Sequence, residues 1–135
     1  MPSLNELAAK PYDANNRYSD VVHFVHIMIM EPHPQSPDLS PYSGQVWEAR
    51  YSMVHQPQTY DERVAIAQEI EPLIEGNQLL LIDDLTPGAL NNPVWCTYGT
   101  SPNSAFLIRQ DGIVDTVQLW FDAPGMEEAI KNLLK

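Results

Sequence analysis

The chain has 135 residues, 44% of them hydrophobic, which is enough for one domain around a single core over residues 1–135. Its 18 Asp and Glu against 7 Lys and Arg give a formal net charge of -11, so phosphate backbones and anionic membranes would be repelled. One cysteine cannot form an internal disulfide and fits a reducing compartment. No apolar run approaches the roughly 18 to 20 residues that span a bilayer, so a cytoplasmic protein without nucleic-acid or membrane partners is expected.

The first predicted elements are a short helix and a strand. Ser3 and Glu6 have the spacing of a capping box ahead of apolar residues, which predicts a helix that begins near residue 4 and is ended or kinked by Pro11. Residues 21–30 read VVHFVHIMIM, almost uncharged and rich in β-branched side chains. This run predicts a strand that is buried on both faces at the centre of the sheet.

A proline-rich segment follows, over about residues 32–58. Five prolines lie from Pro32 to Pro57, and this composition predicts a long irregular loop insertion. The aromatic side chains of the loop are Tyr42, Trp47 and Tyr51. They either line a pocket for a ring-bearing ligand or form a small core of the loop itself.

A second helix is predicted after the loop. Thr59 and Glu62 form another capping box. Arg63 and Glu69 are expected to face water, and Pro72 is expected to disturb the last turn. The positions expected to face the core lie at helical spacing: Val64, Ala67, Ile70 and Leu73.

The remaining elements complete an α/β pattern. Residues 78–82 predict a short strand, and residues 105–109 and 113–119 predict a hairpin around Asp111-Gly112, a dipeptide that favours a tight turn with positive φ at both central residues. The last helix is amphipathic, with Glu127, Glu128 and Lys131 expected outside and these residues expected inside: Met126, Ala129, Ile130, Leu133 and Leu134. The order of elements indicates an α/β sandwich with a mixed sheet.

Three residues are candidates for chemistry. Glu31 and His33 follow the first strand, where α/β sheets place ligand-handling groups, so His33 could act as a general acid or base with Glu31 orienting it. Alternatively, both cap the strand and bond to the proline-rich loop. Cys96 is either a resolving or redox cysteine or a small buried apolar residue. Glu31, His33 and His55 could supply zinc ligands, but no ligand-spacing motif supports this, and no metal or other cofactor is expected.

Several short motifs share the order and spacing of a known family. They are Glu31-Pro32-His33-Pro34, similar to a Glu-Ala-His-Pro pattern; Gln56-Pro57-Gln58-Thr59 leading into Asp61-Glu62-Arg63-Val64-Ala65; Asp83-Asp84; and Asn91-Asn92 followed by Tyr98-Gly99. With the hairpin and last helix, they resemble the iodothyronine-deiodinase-like branch of the thioredoxin-like superfamily over nearly the whole chain.

The resemblance implies a thioredoxin-like sandwich with a mixed central sheet. It implies redox chemistry in which Glu31 and His33 help to handle substrate and relay protons. In such folds a cis-proline lies in the loop that faces the active site, and Pro102 is expected to be that residue. The candidate substrate-binding residues are Tyr42, Trp47, His55 and Pro102.

The departures from the family pattern affect the expected function. The family's catalytic selenocysteine or cysteine lies on a strand just upstream of the helix that begins here near residue 4, so the fold is expected to be N-terminally incomplete. The Arg that precedes the family's hairpin has no counterpart in Asn103-Ser104-Ala105, and its Gly-rich stretch before the last helix is replaced by residues 120–125. The chain is therefore expected to be catalytically silent as given.

Three functions remain open. The first is a deiodinase-like redox protein whose complete form uses an upstream thiol or selenol, and its expected partner is a thiol reductant. The second is a non-catalytic thioredoxin-like binding or dimerisation module, in which open sheet edges hold a partner protein or form a homodimer. The third is a thiol-dependent reductase or peroxidase that uses Cys96.

Overall fold

The computed structural model describes residues 3–48, 54–88, 91–99 and 101–135. Within these ranges the protein is mixed α/β, with five α-helices, one parallel and one antiparallel two-stranded sheet, so the predicted class is confirmed at this level. The helices are α1 (Leu4–Ala9), α2 (Tyr18–Val21), α3 (Tyr60–Ile70), α4 (Pro93–Tyr98) and α5 (Ala123–Leu133), with a 3₁₀ helix at Glu71–Leu73. The strands are β1 (Phe24–Met28) paired with β2 (Gln78–Ile82), and β3 (Ala105–Ile108) paired with β4 (Val114–Gln118).

The chain divides into two compact units. The first comprises the described residues within 1–26, 74–79 and 103–135, and the second those within 27–73 and 80–102. One hydrophobic cluster forms the core of the first unit: Leu7, Ala8, Tyr18, Phe24, Leu107, Phe121, Ala123, Met126 and Ile130. The single domain over 1–135 stays a prediction. None of the helices in the described ranges is both long enough and apolar enough to cross a membrane.

The start of the chain follows its capping signals. The Ser3 hydroxyl accepts the Glu6 backbone N–H at 3.1 Å, and α1 ends at Ala9, before Pro11, as predicted. The first strand begins later than expected, at Phe24, because residues 18–21 form α2. The carboxylate of Asp20 accepts the Arg17 backbone N–H at 2.7 Å and so caps this one-turn helix.

The prediction that the first strand is buried on both faces is wrong. Burial alternates along β1, where Phe24 is buried while Val25 and Ile27 are 40% and 42% exposed. Successive side chains point to opposite faces, and only one face packs on a core. In the described ranges β1 pairs with β2 alone, so it is an edge of a two-stranded sheet and not the centre of a larger one.

The second capping box is confirmed, and the proline-rich loop over about residues 32–58 stays a prediction. Described residues between Met28 and Tyr60 form turns and bends without a helix or strand. The Thr59 hydroxyl accepts the Glu62 backbone N–H at 3.2 Å at the start of α3. At the other end of α3, Pro72 lies in the 3₁₀ helix, which confirms the disturbed last turn.

The predicted inner and outer faces of α3 and the turn after it are wrong at three positions. Arg63, expected in water, is 1% exposed, whereas Ile70 and Leu73, expected in the core, are 38% and 71% exposed. Ala67 is buried as expected. The guanidinium is buried because hydrogen-bond acceptors surround it, as described below, and helical spacing alone does not report such partners.

The hairpin is confirmed, but its turn differs from the prediction. Gly112 N–H donates to the Arg109 carbonyl at 2.9 Å, and Arg109 N–H donates to the Ile113 carbonyl at 2.9 Å, so the loop has three residues. Gly112 has φ of 82°, whereas Asp111 is not among the described residues with positive φ. This is the geometry of a three-residue loop that closes with a left-handed glycine, which needs one positive φ and not two.

The last helix matches its prediction in part, because Leu133 and Leu134, which were expected inside, are 39% and 41% exposed. In α5 the side chains of Met126 and Ile130 are buried, and the Asp122 carboxylate caps the helix by accepting the Gly125 N–H at 2.9 Å. Glu127 was expected outside, but its side chain is only 13% exposed. It contacts the ammonium groups of Lys10 and Lys131, and these partners explain why a carboxylate lies against the core of the first unit.

Candidate functional site

Glu31 and His33, the predicted catalytic pair, lie together beyond the end of β1 in the second unit. The Glu31 carboxylate accepts the His33 backbone N–H at 2.9 Å. The backbone of Glu31 is itself held by the Gln56 side-chain amide, which accepts the Glu31 N–H and donates to the Glu31 carbonyl, both at 2.9 Å. Gln56 thus bonds to Glu31 as a neighbouring strand would, and it fixes the backbone that carries the pair.

The ring of His33 packs on Trp47. Their ring centroids are 4.2 Å apart with an interplanar angle of 67°, an edge-to-face arrangement. Trp47 is 37% exposed and His33 is half-buried, so one side of this pair is open to solvent. The structure therefore brings together a predicted acid–base residue and a predicted substrate-binding residue.

His55, another predicted substrate-binding residue, is held by Asp38. The Asp38 carboxylate lies 3.0 Å from His55 Nδ1 and accepts the Gln56 backbone N–H at 2.9 Å. The Gln56 N–H and then His55 lower the pKa of Asp38. Within the described ranges no three His, Cys, Asp or Glu side chains are close enough to hold a metal ion, and the possible zinc set of Glu31, His33 and His55 does not assemble.

A buried polar cluster joins α3 to the start of α4. Arg63 donates to the Asp83 carbonyl at 2.9 Å and to the Asn92 side-chain oxygen at 2.7 Å. The Asp83 carboxylate, 1% exposed, accepts the backbone N–H groups of Val94 and Trp95 at 2.9 and 2.8 Å. Asn92 has φ of 52°, a left-handed conformation that asparagine tolerates better than most residues. We refer to Arg63, Asp83 and Asn92 as the buried cluster.

The electrostatics of the cluster follow from its burial. Loss of solvent lowers the pKa of the Arg63 guanidinium, and the negative charge of Asp83 opposes this shift. Arg63 Nε is buried and, in the part of the chain that the structure describes, makes no hydrogen bond. Burying these charged groups therefore carries a desolvation free-energy cost, and the hydrogen bonds of the cluster fix the first turn of α4 against β2.

The buried cluster connects to the proline-rich loop through Trp95. The Trp95 indole N–H donates to the Tyr42 hydroxyl at 3.1 Å, and the two ring centroids are 6.3 Å apart at 79°. Burial raises the pKa of Tyr42, the hydrogen bond from Trp95 lowers it, and the charge of Glu31 raises it again. Tyr42 thus lies within electrostatic reach of the predicted catalytic pair. Tyr51, the third aromatic residue of the predicted loop core, lies outside the described residues.

Cys96 and Pro102 differ from their predictions. Cys96 is on α4 and is exposed, so the alternative of a small buried apolar residue is wrong. Its sulfur lies 3.7 Å from the Asn91 carbonyl. Pro102 is half-buried in a turn before β3. Among the described residues the cis peptide bond is Ser36-Pro37, so Pro102 is not the cis-proline.

Sequence reasoning did not predict that Arg63 and Asp83 hydrogen-bond in a buried cluster, or that Trp95 bonds to Tyr42. The signal that could have found the first two was present, because an aspartate directly after an apolar strand needs hydrogen-bond donors for its carboxylate if it is buried. Trp95 carries no comparable signal, since nothing local indicates that it bonds to Tyr42.

The fold and the site define a mixed α/β protein with an aromatic and acidic site beside its proline-rich loop. No protein-family model, curated protein or solved structure matches this chain. The functional argument therefore rests on the residues and the contacts described above.

Proposed function

We propose that the chain is a thioredoxin-like domain of the deiodinase-like kind. The observation that carries this proposal is the buried cluster. Arg63, Asp83 and Asn92 belong to three separate motifs of the resemblance, spread over 29 residues, and they meet in one hydrogen-bonded group. Motif residues that share a physical role are better support for a common architecture than isolated matches in sequence.

In this proposal, residues 31–47 form the substrate-facing side of a redox site. His33 exchanges a proton with the substrate or leaving group near neutral pH. Glu31 holds the His33 backbone, and Trp47 and Tyr42 offer aromatic surface to a ring-bearing substrate. The reacting centre is a thiol or selenol nucleophile, which these residues do not supply. General acid–base groups without that centre do not turn over substrate, so we propose that the 135-residue chain is catalytically silent by itself.

Fluorescence quenching by an iodinated phenol tests this site. The iodine atom quenches tryptophan emission on contact, and we expect saturable quenching by 4-iodophenol that is lost in Trp47→Phe. Trp120→Phe is the matched control, because Trp120 is also exposed but lies in the first unit, and it should keep the saturable component. Equal saturable quenching in the Trp47→Phe variant would refute binding at His33 and Trp47.

A second assay tests whether the chain is catalytically inactive by itself. The full chain with 4-iodophenol and dithiothreitol should release no iodide above the rate of buffer alone. Iodide release that depends on protein, and that Cys96→Ser abolishes, would contradict the proposal and favour Cys96 as the nucleophile.

The second candidate function is a non-catalytic binding or dimerisation module. The observation that favours it is the exposed apolar side chains of the strands, which include Val25 and Ile27 in β1. Exposed strands with apolar faces recruit other chains. Native mass across a concentration series tests this candidate, and a monomer at every concentration would count against dimerisation.

The third candidate is a reductase or peroxidase that uses Cys96, and its supporting observation is the exposure of that thiol. It predicts peroxide consumption that Cys96→Ser abolishes. Equal peroxide consumption by the two proteins would eliminate it.

A further inference from the structure

The turn between β3 and β4 exposes an aspartate–glycine pair to solvent. The Asp111 side chain is 55% exposed, and Gly112, with φ of 82°, has no atom within 4 Å of the position that a Cβ would occupy. Because glycine has no side chain, its backbone nitrogen can approach the carboxyl group of the preceding residue with little steric hindrance. The pair is therefore a candidate for an intramolecular reaction that alters the main chain.

The reaction open to such a pair is the isomerisation of aspartate. The backbone nitrogen of Gly112 forms a bond to the side-chain carboxyl carbon of Asp111, and the amide hydrogen and the carboxyl hydroxyl leave together as water. The product is a cyclic imide, to which one water molecule then adds. Opening of the imide at the side-chain carbon restores aspartate. Opening at the main-chain carbonyl carbon breaks the original peptide bond and gives isoaspartate, in which the chain runs through the former side chain.

The folded turn holds both reacting groups in other bonds. The Asp111 carboxylate accepts the Ile113 backbone N–H at 3.1 Å and a guanidinium N–H of Arg109 at 3.0 Å. The Gly112 N–H donates to the Arg109 carbonyl at 2.9 Å. The Gly112 nitrogen can attack only after these bonds are released, so the turn opposes the reaction that its dipeptide favours.

The same contacts keep the carboxyl group ionised. The hydrogen bond from the Ile113 N–H and then the hydrogen bond and charge of Arg109 lower the pKa of Asp111, against the opposing effect of desolvation. An ionised carboxylate is a poor electrophile and has no hydroxyl that can leave as water. Above the pKa, each unit by which the pKa falls reduces the neutral fraction about tenfold. Arg109 therefore acts against imide formation by charge as well as by position.

We propose that Asp111-Gly112 is a site of spontaneous isoaspartate formation and that the Arg109 guanidinium restrains it. The inference is independent of the redox and binding functions proposed above. Arg109 is a positioning residue here, because it acts through the carboxylate that it holds. Isoaspartate would lengthen the main chain of the three-residue loop by one carbon and move the carboxylate away from the Ile113 N–H. The modification would thus disrupt the connection between β3 and β4.

Digestion with endoproteinase Asp-N and mass spectrometry measures the conversion in the full chain. The folded protein is incubated for days at about pH 6, roughly two units above the ordinary pKa of aspartate. Asp-N cleaves before aspartate and does not cleave before isoaspartate, so conversion replaces the fragment 84–110 with the fragment 84–114. Asp115 and Asp122, which precede Thr116 and Ala123, are internal controls that should stay cleavable.

Three variants separate the role of Arg109 from that of net charge. Arg109→Gln should raise the rate of conversion at least about threefold, because it removes the cation and raises the neutral fraction of the carboxyl group. Arg109→Lys keeps the cation and should stay within about twofold of wild type. Lys135→Gln is the matched control, since it removes an equal charge from the exposed last residue and should leave the rate unchanged. Wild type unfolded in guanidinium should convert faster than any of the folded proteins.

Each outcome supports or overturns the inference. Equal rates for wild type and Arg109→Gln, or an equal rise in Lys135→Gln, would overturn the restraint by Arg109. Equal rates for folded and unfolded wild type would show that the turn restrains nothing, and an unfolded chain that stays cleavable before Asp111 would overturn the site itself. Faster conversion in Arg109→Gln alone among the folded variants supports the inference.

Discussion

Replacing Glu127 by glutamine should reveal a pH-dependent contribution to the stability of the first unit. Glu127 joins three elements, because it contacts the ammonium group of Lys10 beyond α1, accepts the Tyr18 hydroxyl of α2 at 3.1 Å, and pairs with Lys131 of α5 at 2.6 Å. Glu127→Gln keeps the shape of the side chain and an oxygen that can accept from Tyr18. It removes the negative charge that both lysines share.

The pKa of Glu127 sets the size and the direction of the effect. Hydrogen bonds from Lys10 and then Lys131 lower that pKa from 4.5 to about 2, against the opposing effect of burial. A shift of this size corresponds to about 3 kcal/mol. The Lys10 and Lys131 side chains are 52% and 50% exposed and partly screened by solvent, so we expect about 1 to 2 kcal/mol in practice. Because the folded-state pKa is below the unfolded one, this stability is present above pH 4.5 and is lost as pH falls toward 2.

Urea unfolding of wild type and Glu127→Gln at several pH values from 7 to about 2 measures this contribution. The difference in unfolding free energy should be full at pH 7 and should shrink to near zero at the acidic end. Glu128→Gln is the control, because Glu128 is the next residue of α5 and is exposed. Equal stabilities of wild type and Glu127→Gln at pH 7, or a difference that does not change with pH, would refute the reasoning.

Further predictions concern the buried cluster, the hairpin turn and the thiol. Arg63→Met leaves buried acceptors without a donor and should lower the unfolding free energy by about 2 to 4 kcal/mol. The control Gln68→Met changes an exposed residue of the same helix and should have little effect, so an equally small loss in Arg63→Met would contradict the role of Arg63. Gly112→Ala should lower the unfolding free energy by about 1 kcal/mol through backbone strain alone, because φ is 82° and no atom lies within 4 Å of the added methyl group. Gly112→Asn should lower it less, and equal stability of wild type and both variants in urea would contradict this turn geometry. Iodoacetamide should modify native Cys96 at a rate comparable to that of the urea-unfolded chain, as its exposure implies, and protection in the native protein would show that the thiol is covered.

Local signals predicted the elements whose ends are fixed by short-range chemistry. The two Ser and Thr capping boxes located the starts of α1 and α3, and the Asp-Gly pair located the hairpin. Each of these signals acts between residues that are at most four positions apart, so the local sequence is enough to predict the element. The run 21–30 was less informative, because its first residue, Val21, ends the one-turn helix α2 and the strand begins only at Phe24, while the apolar pattern continues without a break.

Burial was harder to predict, because it depends on residues that are distant in the chain. Helical spacing assigns Arg63 to the outside of α3, yet its acceptors lie 20 and 29 residues away, at Asp83 and Asn92. Cys96 shows the reverse, since a residue type that is usually buried lies on the open side of α4. In both cases the deciding contact belongs to the tertiary fold and leaves no local pattern.

Contacts between residues that are distant in sequence also explain how the buried cluster can act on the candidate site. An apolar side chain in place of Arg63 would fill the space at a lower desolvation cost, but it would bond neither the Asp83 carbonyl nor Asn92. Those two bonds fix the connection from β2 to α4, and the Asp83 carboxylate fixes the first turn that carries Trp95. Trp95 in turn donates to Tyr42, whose pKa responds to the charge of Glu31. The hydrogen-bonded residues therefore run from a buried guanidinium to Tyr42 of the proline-rich loop, and in the proposed function they make Arg63 a positioning residue for that loop.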